Sequence, residues 1–228
     1  MKKSTTILTA SLACCLALVI QVMAQARNDQ APSDDKNDVL LRAVNYGVLR
    51  AAETSIKEGA NVEARDAQFG LTPLIWASLR GNTEVVNLLI DYGANPRTRA
   101  NDGVTALIAA AGAGHVRAAK HLLGRGADVN DQTDKGVTPL MAAAGKGHLN
   151  MAKVLLDRVA KVNARTSKGA TALIWAAASD RMDVMELLLS RGADVNAKYD
   201  GHTTALGLAL QRGLPEVRDL LIRYGARE

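Results

Sequence analysis

Four histidines, His115, His121, His148 and His202, are the side chains of this 228-residue sequence best suited to moving a proton or holding a metal. Neither task is done by a histidine alone: a general base needs an orienting group and a reacting partner, and a metal needs three or four convergent ligands. His121 and His202 stand singly, with no conspicuous Asp, Glu or Cys at ligand spacing. His115 and His148 are 33 residues apart and each follows a glycine, a spacing that speaks of repetition rather than of one shared site. The glycine-rich run AAGAGH at 110–115 has no Lys-Ser or Lys-Thr after it, so it is no phosphate loop, and no G-x-S-x-G is present. No catalytic, cofactor-binding or metal-binding residue is therefore expected, and the chain is read as not an enzyme.

The two cysteines, Cys14 and Cys15, lie in an N-terminal segment that the sequence marks for removal. Lys2 and Lys3 precede a mostly apolar run, Ile7 to Val22, and Ala24 and Ala26 then fit a small-x-small cleavage pattern. That run is shorter than the roughly 20 apolar residues a spanning helix needs. Residues 1–26 are thus expected to be a secretory signal peptide, cut after Ala24 or Ala26, and 27–35 a flexible leader. The mature chain would carry no cysteine and no membrane segment, and its address would be the periplasm or the cell exterior. No Asn-x-Ser/Thr acceptor occurs, which agrees with a bacterial source. Without Lys2 and Lys3 the basic count is 26 against 23 acids, too small an excess to imply nucleic acid.

Repetition organises everything that follows. Thr72, Thr105, Thr138, Thr171 and Thr204 recur every 33 residues, each opening T-P/A-L, with Ala77, Ala110, Ala143, Ala176 and Ala209 in step. Within the unit from Gly136, Thr138 suits a helix N-cap and Pro139 the first helical position, Gly147 suits a tight turn, and Leu149, Ala152 and Leu156 fall on one face of a second helix. Each unit reads as helix, turn, helix and exit loop.

On these residues the chain resembles the ankyrin-repeat family, above all in DKGVTPLMAAAGKGH (134–148) and LLSRGADVNAK (188–198). The resemblance implies an all-α repeat solenoid of helix pairs joined by finger-like loops, six repeats over residues 36–228, with a concave side that binds a protein partner and with His115 and His148 in structural roles. A monomeric interaction module is expected, with a secreted effector, an inhibitor of one, or an accessory subunit of an exported enzyme as alternatives. An early unit aligns Ala43, Gly47 and Gly59 with Ala77, Gly81 and Gly93, and one extra residue falls near Ala67. Thr54 and Ser55 stand there in place of Leu88 and Leu89, as a wettable N-terminal cap would need. At the other end the column Val86, Ala119, Ala152, Met185 turns into Arg218, a second cap. Where the family has a histidine after T-P-L this chain has Ile75, Ile108, Met141, Ile174 and Gly207. Val159 and Asp180 replace expected glycines and Gly201 comes one residue early, so altered loops are expected at Val159 and in the last finger.

Two sets of residues are candidates for the partner. One finger column reads Arg65, Arg99, Gln132, Arg165, Lys198, and the tip residues Lys135 and Lys168 extend it. At about 10 Å per repeat this is either a basic ladder for an acidic protein surface or, with Asp66, Asp102, Asp134 and Asp200 interleaved, a solvated face. The other set is apolar: Tyr46, Phe69, Leu71 and Leu79 form an anchor patch, unless Phe69 folds back over the inserted residue of its finger. The only tryptophans, Trp76 and Trp175, share one column three repeats apart, about 30 Å, and so form no joint aromatic site. That column faces the stacked interior, and each indole N–H there is expected to find a backbone acceptor.

Overall fold

The computed structural model describes residues 35–227. The expected signal segment, both cysteines and the leader up to residue 34 lie outside the described residues.

Twelve α-helices among the described residues make six antiparallel pairs. They are α1 (Lys36–Asn45) with α2 (Leu49–Lys57), α3 (Pro73–Arg80) with α4 (Thr83–Asp91), and α5 (Ala106–Ala113) with α6 (Val116–Gly124). The series continues with α7 (Pro139–Lys146) and α8 (Leu149–Asp157), α9 (Ala172–Ala178) and α10 (Met182–Ser190), and α11 (Ala205–Arg212) and α12 (Pro215–Arg223). The threonine of each T-P/A-L is the N-cap that starts the first helix. Thr138 Oγ1 accepts from the Met141 N–H at 3.2 Å, and Thr72, Thr105, Thr171 and Thr204 do the same three residues on. Each such cap contributes about 1 kcal/mol.

Pairs stack in chain order, first helix on first helix (α1, α3, α5, α7, α9, α11) and second on second. The first-helix layer packs more closely, because alanine and glycine fill it: Ala109, Ala110, Ala111, Ala142, Ala143 and Ala144 are all buried. A stack whose one layer is closer spaced bends toward that layer, which makes the first helices and the fingers the concave side. Size alternates across the contact. Gly145 leaves room for Trp175, whose Cε3 would lie only 2.9 Å from a Cβ at that position.

Successive fingers are tied tip to tip. The N–H groups of Asn101, Asp134, Ser167 and Asp200 donate to the carbonyls of Phe69, Asp102, Lys135 and Lys168, at 2.9–3.1 Å. The first finger is one residue longer, as its sequence requires, and closes with Gly70 N–H on Asp66 O at 3.1 Å. In the last finger Asp200 and Gly201 both have positive φ and His202 N–H reaches Tyr199 O, the reshaped tip that the early glycine calls for.

Three expectations need correction. Val159 does not alter its loop: at φ 65° it takes the left-handed turn that Gly126 takes one repeat earlier, and Ala160 N–H bonds to Leu155 O as Ala127 N–H bonds to Leu122 O. The helix end dictates the turn, and the valine is held in it with its side chain 81% exposed. Ser55 is not on a wettable outer face. It is buried in the leucine column, with its hydroxyl donating to Ala51 O at 2.9 Å, and only Thr54 is exposed. Arg218 does break its column, yet Leu210 and Ile222 on α11 and α12 remain exposed, because no described repeat follows to cover them.

Candidate partner-binding face

The basic finger residues are exposed, but three of them already have work within the fold. Arg65 Nη1 donates to Arg99 O at 2.9 Å and to Gly70 O at 3.1 Å, and Arg99 Nη1 donates to Gln132 O at 2.8 Å. Each guanidinium thus staples its finger to the next. Arg99 also pairs with Asp134 at 2.8 Å and Arg165 with Asp194 at 3.3 Å, so their charge is largely met. Lys135, Lys168 and Lys198 are exposed and make no side-chain hydrogen bond or ion pair among the described residues. The ladder divides into arginines that hold fingers together and lysines that face solvent.

A second cross-repeat device carries the loops at the base. Asn163 Oδ1 accepts from Asp194 N–H at 2.8 Å while its Nδ2 donates to Gly192 O at 3.0 Å, and Asn196 does the same to Arg227 and Gly225. Asn130 accepts from Lys161 N–H at 2.8 Å. The V-N dipeptide that recurs at period 33, Val129-Asn130, Val162-Asn163 and Val195-Asn196, is the mark of this column in the sequence.

Of the four apolar candidates the structure keeps one fully exposed. Tyr46 is 67% exposed, whereas Leu71 at 4% and Leu79 at 3% are in the core and cannot anchor a partner. Leu71 lies at the base of the longer finger, and Leu79 stands in the register of Gly112 and Gly145, where neighbouring first helices come closest. Phe69 is half-buried and packs on the core, so it covers its own finger.

What joins Tyr46 instead is Trp76 with Arg80. Trp76 is half-buried, its indole Nε1 donating to Asp66 Oδ2 at 3.3 Å, and the Arg80 guanidinium lies 5.8 Å from the ring centroid. Arg80 Nε donates to Asn45 Oδ1 at 2.9 Å, which fixes the guanidinium beside Tyr46. Burial lowers the Arg80 pKa from its ordinary value, against a smaller opposing influence of Tyr46. No carboxylate pairs with it among the described residues. The neighbouring acid, Asp66, is occupied: it accepts from the N–H groups of Gln68, Phe69 and Leu71 as well as from Trp76. Trp175, in contrast, is buried with no acceptor for its indole N–H, and neither tryptophan meets the backbone acceptor that the sequence suggested.

His115 and His148 are structural, as the resemblance implied. His115 Nε2 bonds to Leu79 O at 3.1 Å and His148 Nε2 to Gly112 O at 3.2 Å, so each N–H joins its repeat to the first helix before it. Burial, followed by the charges of Lys146, His115 and Arg181, lowers the His148 pKa, and the Gly112 carbonyl opposes this. Among the described residues the His202 side chain bonds to Asp200 O in its own finger. Among the described residues no three His, Cys, Asp or Glu are gathered to hold a metal ion.

One polar hollow of about 320 Å³ lies between the third and fourth loops, lined by Arg99, Asn130, Asp131, Gln132, Thr138, Lys161 and Ala164. Asp131 enters it from a column that holds Ala64, Thr98, Ala164 and Ala197 in other repeats. Its Oδ2 is buried without a partner, and burial and then Asp128 raise its pKa, opposed by a Thr105 hydrogen bond and by Arg97 and Arg99.

The family model described as ankyrin repeats (three copies) matches residues 40–133 and 118–199. The chain belongs to the ankyrin-repeat family, whose repeats are in general protein-binding modules without catalysis of their own. Among similar curated proteins, "Ankyrin repeat, SAM and basic leucine zipper domain-containing protein 1" of Loxodonta africana is 32% identical over 72 residues, 32% of this chain and 15% of that protein. Its counterpart in Ornithorhynchus anatinus is 36% identical over 67 residues, 29% of this chain and 14% of that protein. "Glycerophosphocholine phosphodiesterase GDE1" of Eremothecium gossypii is 35% identical over 66 residues, 29% of this chain and 5% of that protein. The chain thus spans a small part of these relatives.

Proposed function

We propose that this chain is an exported, non-enzymatic binding protein that holds one protein partner on its first-helix and finger side. The observation that carries the reading is the Tyr46, Trp76 and Arg80 corner. Tyrosine, tryptophan and arginine are the residue types that concentrate binding energy at interfaces. Here a half-buried guanidinium is fixed by Asn45 and stacked near an indole, yet lacks a carboxylate. Such a group has lost part of its hydration and keeps its hydrogen-bonding capacity for an incoming acceptor. The lysines at the finger tips extend the same side. Export rests on the Lys-led apolar N-terminus and its alanine cleavage pattern.

A photo-crosslinking residue at position 46 or 80, with Lys120 and Lys153 on the exposed second-helix side as controls, tests the face in native extract. One protein captured from 46 and 80 but not from 120 and 153 is the expected result. Adducts confined to the second-helix positions would refute it. N-terminal sequencing of the chain from cell fractions tests export: a start after Ala24 or Ala26 is expected, and a full-length chain kept inside the cell would contradict it.

A further inference from the structure

Resting on that protein-binding reading, we infer that the turn edge of the third to fifth repeats docks an acidic polypeptide segment, rich in Asp and Glu, across Lys146, Arg181 and the histidine pair His115 and His148. Lys146 ends α7, and Arg181 lays its stem over the next turn, so close that a Cβ on Gly147 would sit 2.7 Å from its Cδ. His115 and His148 stand at the same turns of the two preceding repeats.

No counter-charge is built in. None of the ion pairs among the described residues includes Lys146 or Arg181, and Asp180, next in the chain, is exposed without pairing to Arg181. The charges that act on His148 are Lys146, His115 and Arg181, and the one that acts on Lys146, besides burial, is Arg181. No acid is among them.

Folding accounts for His115 and His148, whose Nε2–H groups bond to Leu79 O and Gly112 O, but gives no reason to set Arg181 beside Lys146. Lys146 at a helix C-terminus is favourably placed against the helix dipole, but Arg181 is the N-cap of α10, and His148 and His115 are the N-caps of α8 and α6. The positive charge of Arg181 at the positive end of a helix is unfavourable, and none of the three side chains makes a capping hydrogen bond. The fold therefore holds a cluster whose repulsion an incoming carboxylate would relieve. The finger arginines differ, since Arg99 and Arg165 have Asp134 and Asp194.

A polypeptide suits the edge better than a phosphate chain. Half-buried Ala113, two residues before His115, and Ala178 and Met182, which flank Arg181 in the chain, offer apolar contact at the same turns. The overall balance of 26 basic to 23 acidic residues beyond Lys2 and Lys3 gives little general attraction for a polyanion. Two repeat spacings, about 20 Å, correspond to about six residues of extended chain.

The probe is a fluorescein-labelled decapeptide of glutamate, titrated with the purified chain by fluorescence anisotropy at two salt concentrations. Lys146→Glu with Arg181→Glu is compared with Lys135→Glu and Lys168→Glu, an equal charge change on the finger tips. We expect affinity to fall about tenfold or more in the first variant and less than about twofold in the second. Equal losses in both would overturn the inference, as would equally tight binding of a single-stranded oligonucleotide of the same charge. If the glutamate variant fails to fold, Lys146→Gln with Arg181→Gln removes the charges without reversing them and reads the same difference. Cross-links from positions 46 and 80 that persist with unchanged partner affinity in the Lys146 and Arg181 variant would retire this inference and leave the protein-binding reading standing.

Discussion

Trp76 donates its indole N–H to Asp66 at 3.3 Å, and the same carboxylate gathers three backbone N–H groups of the first finger. One side chain therefore shapes the inserted finger and orients the tryptophan of the proposed binding corner. Asp66→Ala leaves four donors to find water, and we expect it to cost about 1.5–3 kcal/mol by denaturant unfolding, the range for hydrogen bonds to a charged group. It should also weaken partner capture at position 80. A stability loss under about 0.5 kcal/mol would show that water replaces the carboxylate freely.

Val159 is a β-branched residue held at φ 65° with its side chain almost wholly in solvent. The strain of a left-handed conformation is about 1–2 kcal/mol, and no packing of an exposed side chain offsets it. Val159→Gly is expected to raise stability by about 1 kcal/mol, somewhat less than the strain because glycine gives the unfolded chain more freedom. Thermal unfolding read beside Val159→Ala, which keeps a Cβ, separates the turn from the lost apolar surface. An unchanged midpoint in Val159→Gly would refute the strain account.

The helices, their caps and the stacking order were legible because each rests on local chemistry repeated at a fixed period: a threonine that caps, a proline that tolerates the first turn, an alanine column that permits close approach. The binding face was less legible. Leu71 and Leu79 occupy positions that the repeat pattern leaves toward the concave side, and their burial depends on a longer finger and on how closely neighbouring first helices meet. Arg65 and Arg99 looked like free charges because hydrogen bonds to the next finger's carbonyls leave no mark on residue type. Conversely, the unpaired cations Arg80, Lys146 and Arg181 could be found only by seeing which carboxylates fail to reach them.

Asp131 stands in a column of otherwise small, uncharged residues (Ala64, Thr98, Ala164, Ala197), with one carboxylate oxygen buried and unpartnered. Burial raises its pKa, so over the carboxylate range the folded state binds more protons than the unfolded state, and stability falls as pH rises through that range. Asp131→Ala should therefore be more stable than the parent at pH 7, by about 1 kcal/mol, the low end for relieving an unpaired polar atom. The advantage should shrink as the pH falls toward and below the ordinary 3.8 of the unfolded carboxyl, where the group becomes protonated in both states. A constant difference across that range would assign the effect to the lost Thr105 hydrogen bond or to packing.

His148 has the opposite sign. Its pKa is lowered in the fold by burial first and by Lys146, His115 and Arg181 after it, from an ordinary 6.5. Between that value and the lowered one, the unfolded chain carries a proton that the folded chain does not, so stability present above pH 6.5 is lost as the solution is acidified. Asn82 occupies the same register and also bonds to the preceding first helix without a titrating group, its Nδ2 donating at 3.4 Å to Val44 O, one residue before the register of Leu79 and Gly112. His148→Asn is accordingly expected to leave stability at pH 8 within about 1 kcal/mol of the parent and to flatten its decline below pH 6.5. Lys146→Gln should flatten it in part, by removing one of the repelling charges. Urea titrations of the three proteins at a series of pH values give the slopes, and parallel curves for parent and His148→Asn would place the acid sensitivity elsewhere.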